Sequence, residues 1–428
     1  MNTYLKDQKS KIAQRFFFAF GLIMKIALVT TEYVTDANWD GGLSNYVHRV
    51  SLSLAQLGHQ PVVFVLSTKN EKFSHEGIEI HRVSVPSNWI IAAFNIATFH
   101  RFSRFINFIR QSWHLNSRVK QIHGEQPFSI AHYTHLSGIG LFRKKKIPSI
   151  IRLSSYLPLW RSLGEYAGTS YFQTLQQEVV ERWALKRADG IFGPSYNIAK
   201  YVQEDIKKKV DVIESPYFHE NLELDTTLYN QLLKGKKYLL FMGRLSIAKG
   251  VLIIAEILKD LFKMFPYLNF VLIGKEQVKY QGKAIVDYIR DKAGEYKDRV
   301  IYPGRVPHSQ LYPIIEYSQA VVLPSLIDNF PNVCLEAMAL KQIVIGTKGT
   351  SFEQLIKDKT SGFLCEANDP QSLLEVISEV MNLPVEKKRE IGENASKRIS
   401  QLRPEKVVAG LVKYYDKIIS KKTRGDTF

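Results

Sequence analysis

Apolar runs of strand length, separated by stretches of helical periodicity, recur along the chain and leave few folds open to it. In the first half, KIALVT (25–30), PVVFVL (61–66), IEIHRV (78–83), FSIAHY (128–133), PSIIRL (148–153) and GIFGP (190–194) read as strands. Helical patterns lie between them, notably from Leu43 to Leu57 and from Phe172 to Lys186. The rhythm restarts with KYLLFMG (237–243), NFVLIG (269–274), RVIYPG (299–304), AVVLPS (320–325) and QIVIGT (342–347). Such alternation builds parallel sheets covered by helices. A chain of 428 residues is also longer than one core supports. The expectation is therefore α/β: two Rossmann-like, doubly wound parallel-sheet domains facing a central cleft. They span 24–215 and 216–404, with a linker near 214–236, an N-terminal tail over 1–23 and a closing segment over 405–428.

Composition narrows the function. Hydrophobic residues make up 45% and charged residues 23%, and no run approaches the roughly 20 apolar residues of a spanning helix. Two cysteines, Cys334 and Cys365, are too few for a disulfide framework and suggest a reducing, cytoplasmic setting. The net charge of +17 favours phosphate-bearing partners. Basic clusters at 143–146, 207–209 and 234–237 are scattered rather than striped, which argues against nucleic acid as the partner.

In open parallel sheets, ligands bind beyond the carboxyl ends of the strands. After KYLLFMG comes GRLSIAKG, which places Gly243, Arg244 and Lys249 between a strand end and the next helix. An Arg fork and a Lys point charge together suit a departing diphosphate, although a solvated basic loop has the same composition. AVVLPS then runs into LIDNFPNVCLEAMAL, a strand, a turn and an apolar-periodic helix beginning near Asn332 and Val333. The free amides of such a helix start can hold phosphate oxygens. Asp328 precedes this helix and Glu336 lies in its first turns. Carboxylates beside a phosphate site suit sugar and ribose hydroxyls, and capping by Asp328 with dipole placement of Glu336 is the ligand-free alternative.

These segments resemble glycosyltransferase family 4, retaining enzymes of the GT-B fold, over roughly residues 24–420. The family's E-x7-E pattern appears as Asp328 and Glu336, one methylene shorter at the first acid. The resemblance implies a nucleoside-diphosphate sugar as co-substrate, no obligatory metal or other cofactor, and a glycan or lipid-linked acceptor. It assigns catalysis to Arg244, Lys249 and Asp328. Donor binding falls to Gly41, Gly42, Gly243, Gly274, Arg305, Val306, Asn329, Phe330, Pro331, Asn332, Val333 and Glu336. It also implies a last helix, near 405–422, that crosses back onto the first domain. Relatives often carry a donor-contacting histidine after the strand that here reads IIRLSSY, so Arg152, Ser154 or His135 takes that place, or the acceptor differs. His132 and His135 lack a third ligand for a metal. An epimerase or glycan phosphorylase on the same architecture, and a non-catalytic basic binding protein, remain the alternatives.

From Asn88 to Ile122 the chain is aromatic and basic, with Arg101, Arg104, Arg110, Arg118 and Lys120 and no acid. Phe99, Phe102, Phe105 and Phe108 fall at helical spacing. Such a helix either lies on an anionic membrane or packs its phenylalanines into the core.

Overall fold

The structure, a computed structural model, describes residues 23–35, 42–86, 100–162, 170–218, 223–276 and 279–425. Gly41, most of the tail and residues 88–99 of the aromatic-basic stretch lie outside them. The strands are β1 Lys25–Thr30, β2 Gln60–Ser67, β3 Glu71–His75, β4 Ile78–Ser84, β5 Ile130–Thr134, β6 Ser149–Arg152, β7 Gly190–Gly193 and β8 Asp211–Val212 in the first half. The second half contributes β9 Lys237–Met242, β10 Leu268–Ile273, the short hairpin β11 Lys279–Tyr280 and β12 Lys283–Ala284, then β13 Val300–Gly304, β14 Ala320–Val322, β15 Val344–Thr347 and β16 Phe363–Cys365.

The first sheet has the order β3-β4-β2-β1-β5-β6-β7-β8 and is parallel except for the β3–β4 pair. The second runs β13-β10-β9-β14-β15-β16 and is parallel throughout. In each sheet the order reverses beside the first strand of its domain, so β1 and β9 sit centrally and their carboxyl ends face the cleft. Continuous apolar runs on these central strands fit burial on both faces: Ile26, Ala27, Leu28 and Val29 are all at most 2% exposed, as are Tyr238 through Met242.

Strand cores fall within the expected segments, with shorter ends. AVVLPS stops being a strand at Val322, and FSIAHY begins pairing only at Ile130. β3, β8, β16 and the β11–β12 hairpin are additional. β3 alternates half-buried and exposed residues, and β8 and β16 are too short to carry a pattern.

The second domain's core begins at Tyr217 and ends at Leu402. The helix Pro404–Gly425 then returns to the first domain, where Val408, Leu411, Val412, Tyr415 and Ile418 pack among Met24, Ile26, Leu54 and Phe192. Lys422 closes that return with an ion pair to Asp189 at 2.7 Å. Between the domains, Glu214 accepts from Arg398 at 2.5 Å and from Gln354 at 2.7 Å.

Of the aromatic-basic stretch, helix Ser103–Glu125 turns Phe105, Phe108 and Ile109 onto the core. Phe105 also meets Trp183 edge to face. For these residues core packing, and not a membrane-facing stripe, accounts for the spacing. Phe102 and Trp113 remain exposed. No helix among the described residues is long and apolar enough to cross a membrane.

Candidate active site

A cavity of about 450 Å³ separates the two domains, within the usual range for a small-molecule site. Its second-domain wall is built from loops that follow β9, β10, β13 and β14. Gly243 and Gly274 follow β9 and β10 with positive φ, and a Cβ on Gly274 would lie 1.7 Å from the Gly243 carbonyl oxygen. Only glycine lets these two strand ends abut, and both border the cleft.

The loop after β9 folds back through Gly250, at φ 77°, where a Cβ would come within 1.9 Å of the Pro324 carbonyl oxygen. Leu326 N–H donates to the Ala248 carbonyl at 2.8 Å. These contacts lock the loop carrying Lys249 to the loop carrying Asp328, and their side chains pair at 2.5 Å. Asp328 spends its other oxygen on the Asn329 amide at 3.0 Å. Asp328 caps no helix: the residue before the helix Asn332–Ala339 is Pro331, with no side-chain cap. That helix buries Cys334, Leu335, Ala337 and Met338 and presents its first amides and Glu336 to the cleft. Burial pushes the Cys334 thiol well above its ordinary range, which leaves it chemically quiet. Glu336 is nearly buried, with His308 Nε2 at 3.6 Å.

The first domain closes the other side. Gly42 opens the helix Gly42–Gln56, and a Cβ there would meet the Asn332 side-chain amide of the facing domain at 3.1 Å. Asn329 Nδ2 donates to the Ser154 carbonyl at 2.5 Å across the cleft. Arg152 donates to Ser154 Oγ at 3.0 Å and to Ser215 Oγ at 2.9 Å. Trp160 packs against Ala248 and Ile327 of the second domain, with Arg244 and Lys249 at 5.5 and 5.4 Å from its ring.

The structure thus brings together Gly42, Gly243, Arg244, Lys249, Gly274, Arg305, Val306, Asp328 through Val333, Glu336, Arg152 and Ser154 around one cavity. His135 does not join them. It is 1% exposed behind the wall, where its Nδ1 accepts from the Ser154 amide at 3.1 Å. Burial, then the Arg152 charge, depresses its pKa to about 3, so it is neutral imidazole with no surface toward a ligand. His132, in the strand β5, is likewise buried and depressed to about 3 by burial and then Arg152. Neither forms part of a metal cluster. Among the described residues, the one group of three possible ligands, His48, His75 and Glu76, includes no residue of the cleft lining.

Sequence reasoning missed Tyr46, Arg49, Trp160, Ser215 and His308, all in the lining. Tyr46 and Arg49 were legible as one face of the first helix, being three residues apart after the Gly41–Gly42 loop. His308 was legible from its place just beyond Arg305. Trp160 carried no signal, because only the facing of two domains gives it a partner.

Known proteins share this fold. The family model described as Glycosyltransferase Family 4 matches residues 40–217, and that described as Glycosyl transferases group 1 matches residues 229–398. An uncharacterised glycosyltransferase of Methanocaldococcus jannaschii is 24% identical over 93% of this chain and 99% of its own. Among solved structures, a sucrose-phosphate synthase from Thermosynechococcus elongatus superposes with TM-score 0.72 at 18% identity, covering 93% of this chain and 100% of that one. Anabaena HepE in complex with UDP-glucose superposes with TM-score 0.63 at 17% identity, over 92% and 100% of the two chains.

Proposed function

The chain is a glycosyltransferase-family-4-like protein of the GT-B fold, and from that premise we propose that it transfers a sugar from a nucleoside diphosphate to an acceptor hydroxyl with retention at the anomeric carbon. One observation carries the reading: Arg244, Lys249 and the start of helix Asn332–Ala339 converge on one wall of the interdomain cavity. Three sources of positive potential on one wall suit a leaving diphosphate neutralised by the protein itself, without an obligatory metal. In the reaction the C1–O bond to the donor's terminal phosphate breaks with its electron pair leaving on the diphosphate, and the acceptor oxygen bonds C1 as its proton passes to a diphosphate oxygen.

In this reading Glu336, nearly buried beside His308, holds the donor ribose, and Asp328 orients Lys249 beside the transferred sugar. The glycines at 42, 243 and 274 let backbone approach the donor closely. The acceptor is a glycan or lipid-linked sugar, in the synthesis of a cell-surface polysaccharide or glycolipid. The enzyme works in the cytoplasm, and exposed Phe102 and Trp113 in an arginine-rich segment support a peripheral contact with an anionic membrane.

A thermal-shift screen against UDP-, GDP- and ADP-sugars tests the donor, since a ligand near 100 times its Kd stabilises by about 2.7 kcal/mol. NMR of the anomeric proton of the product then reads retention or inversion. A flat screen, or an inverted product, removes the corresponding half of the proposal. Incubation of the donor alone separates transfer from epimerisation, and dependence on inorganic phosphate separates it from phosphorolysis.

A further inference from the structure

The first-domain wall of the cleft carries two guanidinium groups that the diphosphate grip leaves unused. Arg152 ends β6 and is 5% exposed; Arg49 lies on the helix Gly42–Gln56 and is 7% exposed; both border the cavity. The Arg152 guanidinium lies 3.7 Å from the centre of the Tyr46 ring, donates to the two serine hydroxyls, and keeps a buried Nε without a partner. Arg49 rests 5.2 and 5.3 Å from the rings of Tyr217 and Phe218. Tyr46 and Arg49 are three residues apart on one helical face, so both cations lie along the same wall, each on aromatic rings of its own. Among the described residues no carboxylate pairs with either arginine.

A desolvated guanidinium without an anion is costly, and hydroxyls and ring faces repay only part of that cost. Such a group is kept where a ligand supplies the missing charge. In the proposed reaction the donor diphosphate already has Arg244, Lys249 and the helix start on the second-domain wall. The cavity as a whole shows the same imbalance. Among the described lining residues Arg49, Arg152, Arg244, Lys249 and Arg305 outnumber the carboxylates Asp328 and Glu336, and a donor diphosphate neutralises just part of that excess.

We propose that the acceptor is itself anionic, a sugar bearing a phosphate or carboxylate that Arg49 and Arg152 hold against Tyr46 and the Ser154 and Ser215 hydroxyls. The inference rests on the glycosyltransferase reading and names its acceptor class. The planar fork of each arginine matches the bidentate geometry of either anion. Two forks lining one wall hold the anion on the first-domain side and leave a free hydroxyl of the same sugar to face the donor.

The test uses the full chain saturated with whichever of UDP, GDP or ADP stabilises it most, so that the diphosphate grip is already filled. Calorimetric titration with glucose, glucose 6-phosphate and glucuronic acid reads the anion preference and tells phosphate from carboxylate. At least one anionic sugar binds about tenfold or more tightly than glucose, and Arg152→Gln and Arg49→Gln each reduce that preference by about tenfold or more. Nucleoside diphosphate affinity stays within about twofold in both variants. Equal binding of all three sugars, or no binding of either anionic one, overturns the proposal. So does a matching loss of nucleotide affinity in the variants, which would assign both arginines to the donor. Failure of the wild-type chain to bind any nucleotide strikes the glycosyltransferase reading instead; an anionic preference in the nucleotide-free chain would then survive it. Arg49→Gln leaves β6 untouched and supplies the answer if Arg152→Gln does not fold.

Discussion

The Lys249 ammonium lies 2.5 Å from an Asp328 carboxylate oxygen, with the two side chains 16% and 10% exposed. The pair joins the loops after β9 and β14 and holds the ammonium ready at the cavity wall. Loss of one partner strands the other in a poorly solvated place, at a cost of about 3 kcal/mol or more. Lys249→Ala is therefore expected to lower the melting temperature as well as kcat, the latter by roughly 10² to 10³, the scale of removing one donor aimed at developing charge. The double variant Lys249→Met/Asp328→Asn recovers the melting temperature and leaves kcat low. Recovery of both by the double variant would make the pair purely structural.

Trp160 is the first domain's contribution to the same grip. Its ring lies near both cations and packs on Ala248 and Ile327, so it senses whether the domains are closed. Cation–π contacts at partly desolvated sites contribute about 1 kcal/mol each. Trp160→Leu is expected to reduce kcat/KM by roughly tenfold to thirtyfold, with Trp160→Phe intermediate. An unchanged kcat/KM in Trp160→Leu removes the ring from the site.

Gly250 sits at φ 77° against the Pro324 carbonyl, and no side chain fits the 1.9 Å left to it. Gly250→Ala combines a left-handed backbone penalty with overpacking, together about 3 kcal/mol. Because the residue that moves adjoins Lys249, activity falls further than stability alone explains. Denaturant melts and single-turnover rates on one sample separate the two effects, and wild-type values in both would contradict this account of the loop.

How much of this was legible in the sequence differs between walls of the cleft. Arg244, Lys249, Asp328 and Glu336 follow strand ends whose periodicity places them, and local spacing was enough. The first-domain wall was read less well. His135 looked available because it follows a strand end, yet the chain turns it inward under Ser154, a choice set by tertiary packing. Phe105 and Phe108 have the periodicity of a surface-binding helix and of a core helix alike. The neighbours that decide between them, such as Trp183, lie on a helix distant in sequence.

The remaining membrane proposal therefore rests on Phe102, Trp113 and the basic residues near them. Sedimentation with liposomes is expected to pellet the wild-type chain with anionic vesicles more than with neutral ones. Arg101→Glu/Arg104→Glu should abolish the difference. Equal pelleting with both vesicles, unaffected by the substitutions, returns the helix to the core alone.

Buried titrating groups set the pH dependence of stability. His132 and His135 have pKa values near 3 in the folded chain, against about 6.5 unfolded. Folding therefore excludes their protons, and the stability they contribute is full above about pH 6.5 and lost as pH falls toward 3. Glu181 acts in the opposite sense. Its Oε1 accepts from the Ser137 amide and from Gln177, but burial dominates and lifts its pKa to about 7. The folded chain keeps that proton after the unfolded chain has released it, so stability falls as pH rises from about 4.5 to 7 and stays lower above. Two histidines outweigh one glutamate below pH 6.5, so the melting temperature should rise to a maximum near that pH. Glu181→Gln cannot ionise and keeps the amide-accepting oxygen. The variant is expected to match wild type near pH 4.5 and to exceed it at pH 8 by up to about 3 kcal/mol, at about 1.4 kcal/mol per pKa unit. Melting curves of both proteins from pH 4.5 to 8 read this directly; parallel curves would mean that Glu181 is ionised in the fold at every pH tested.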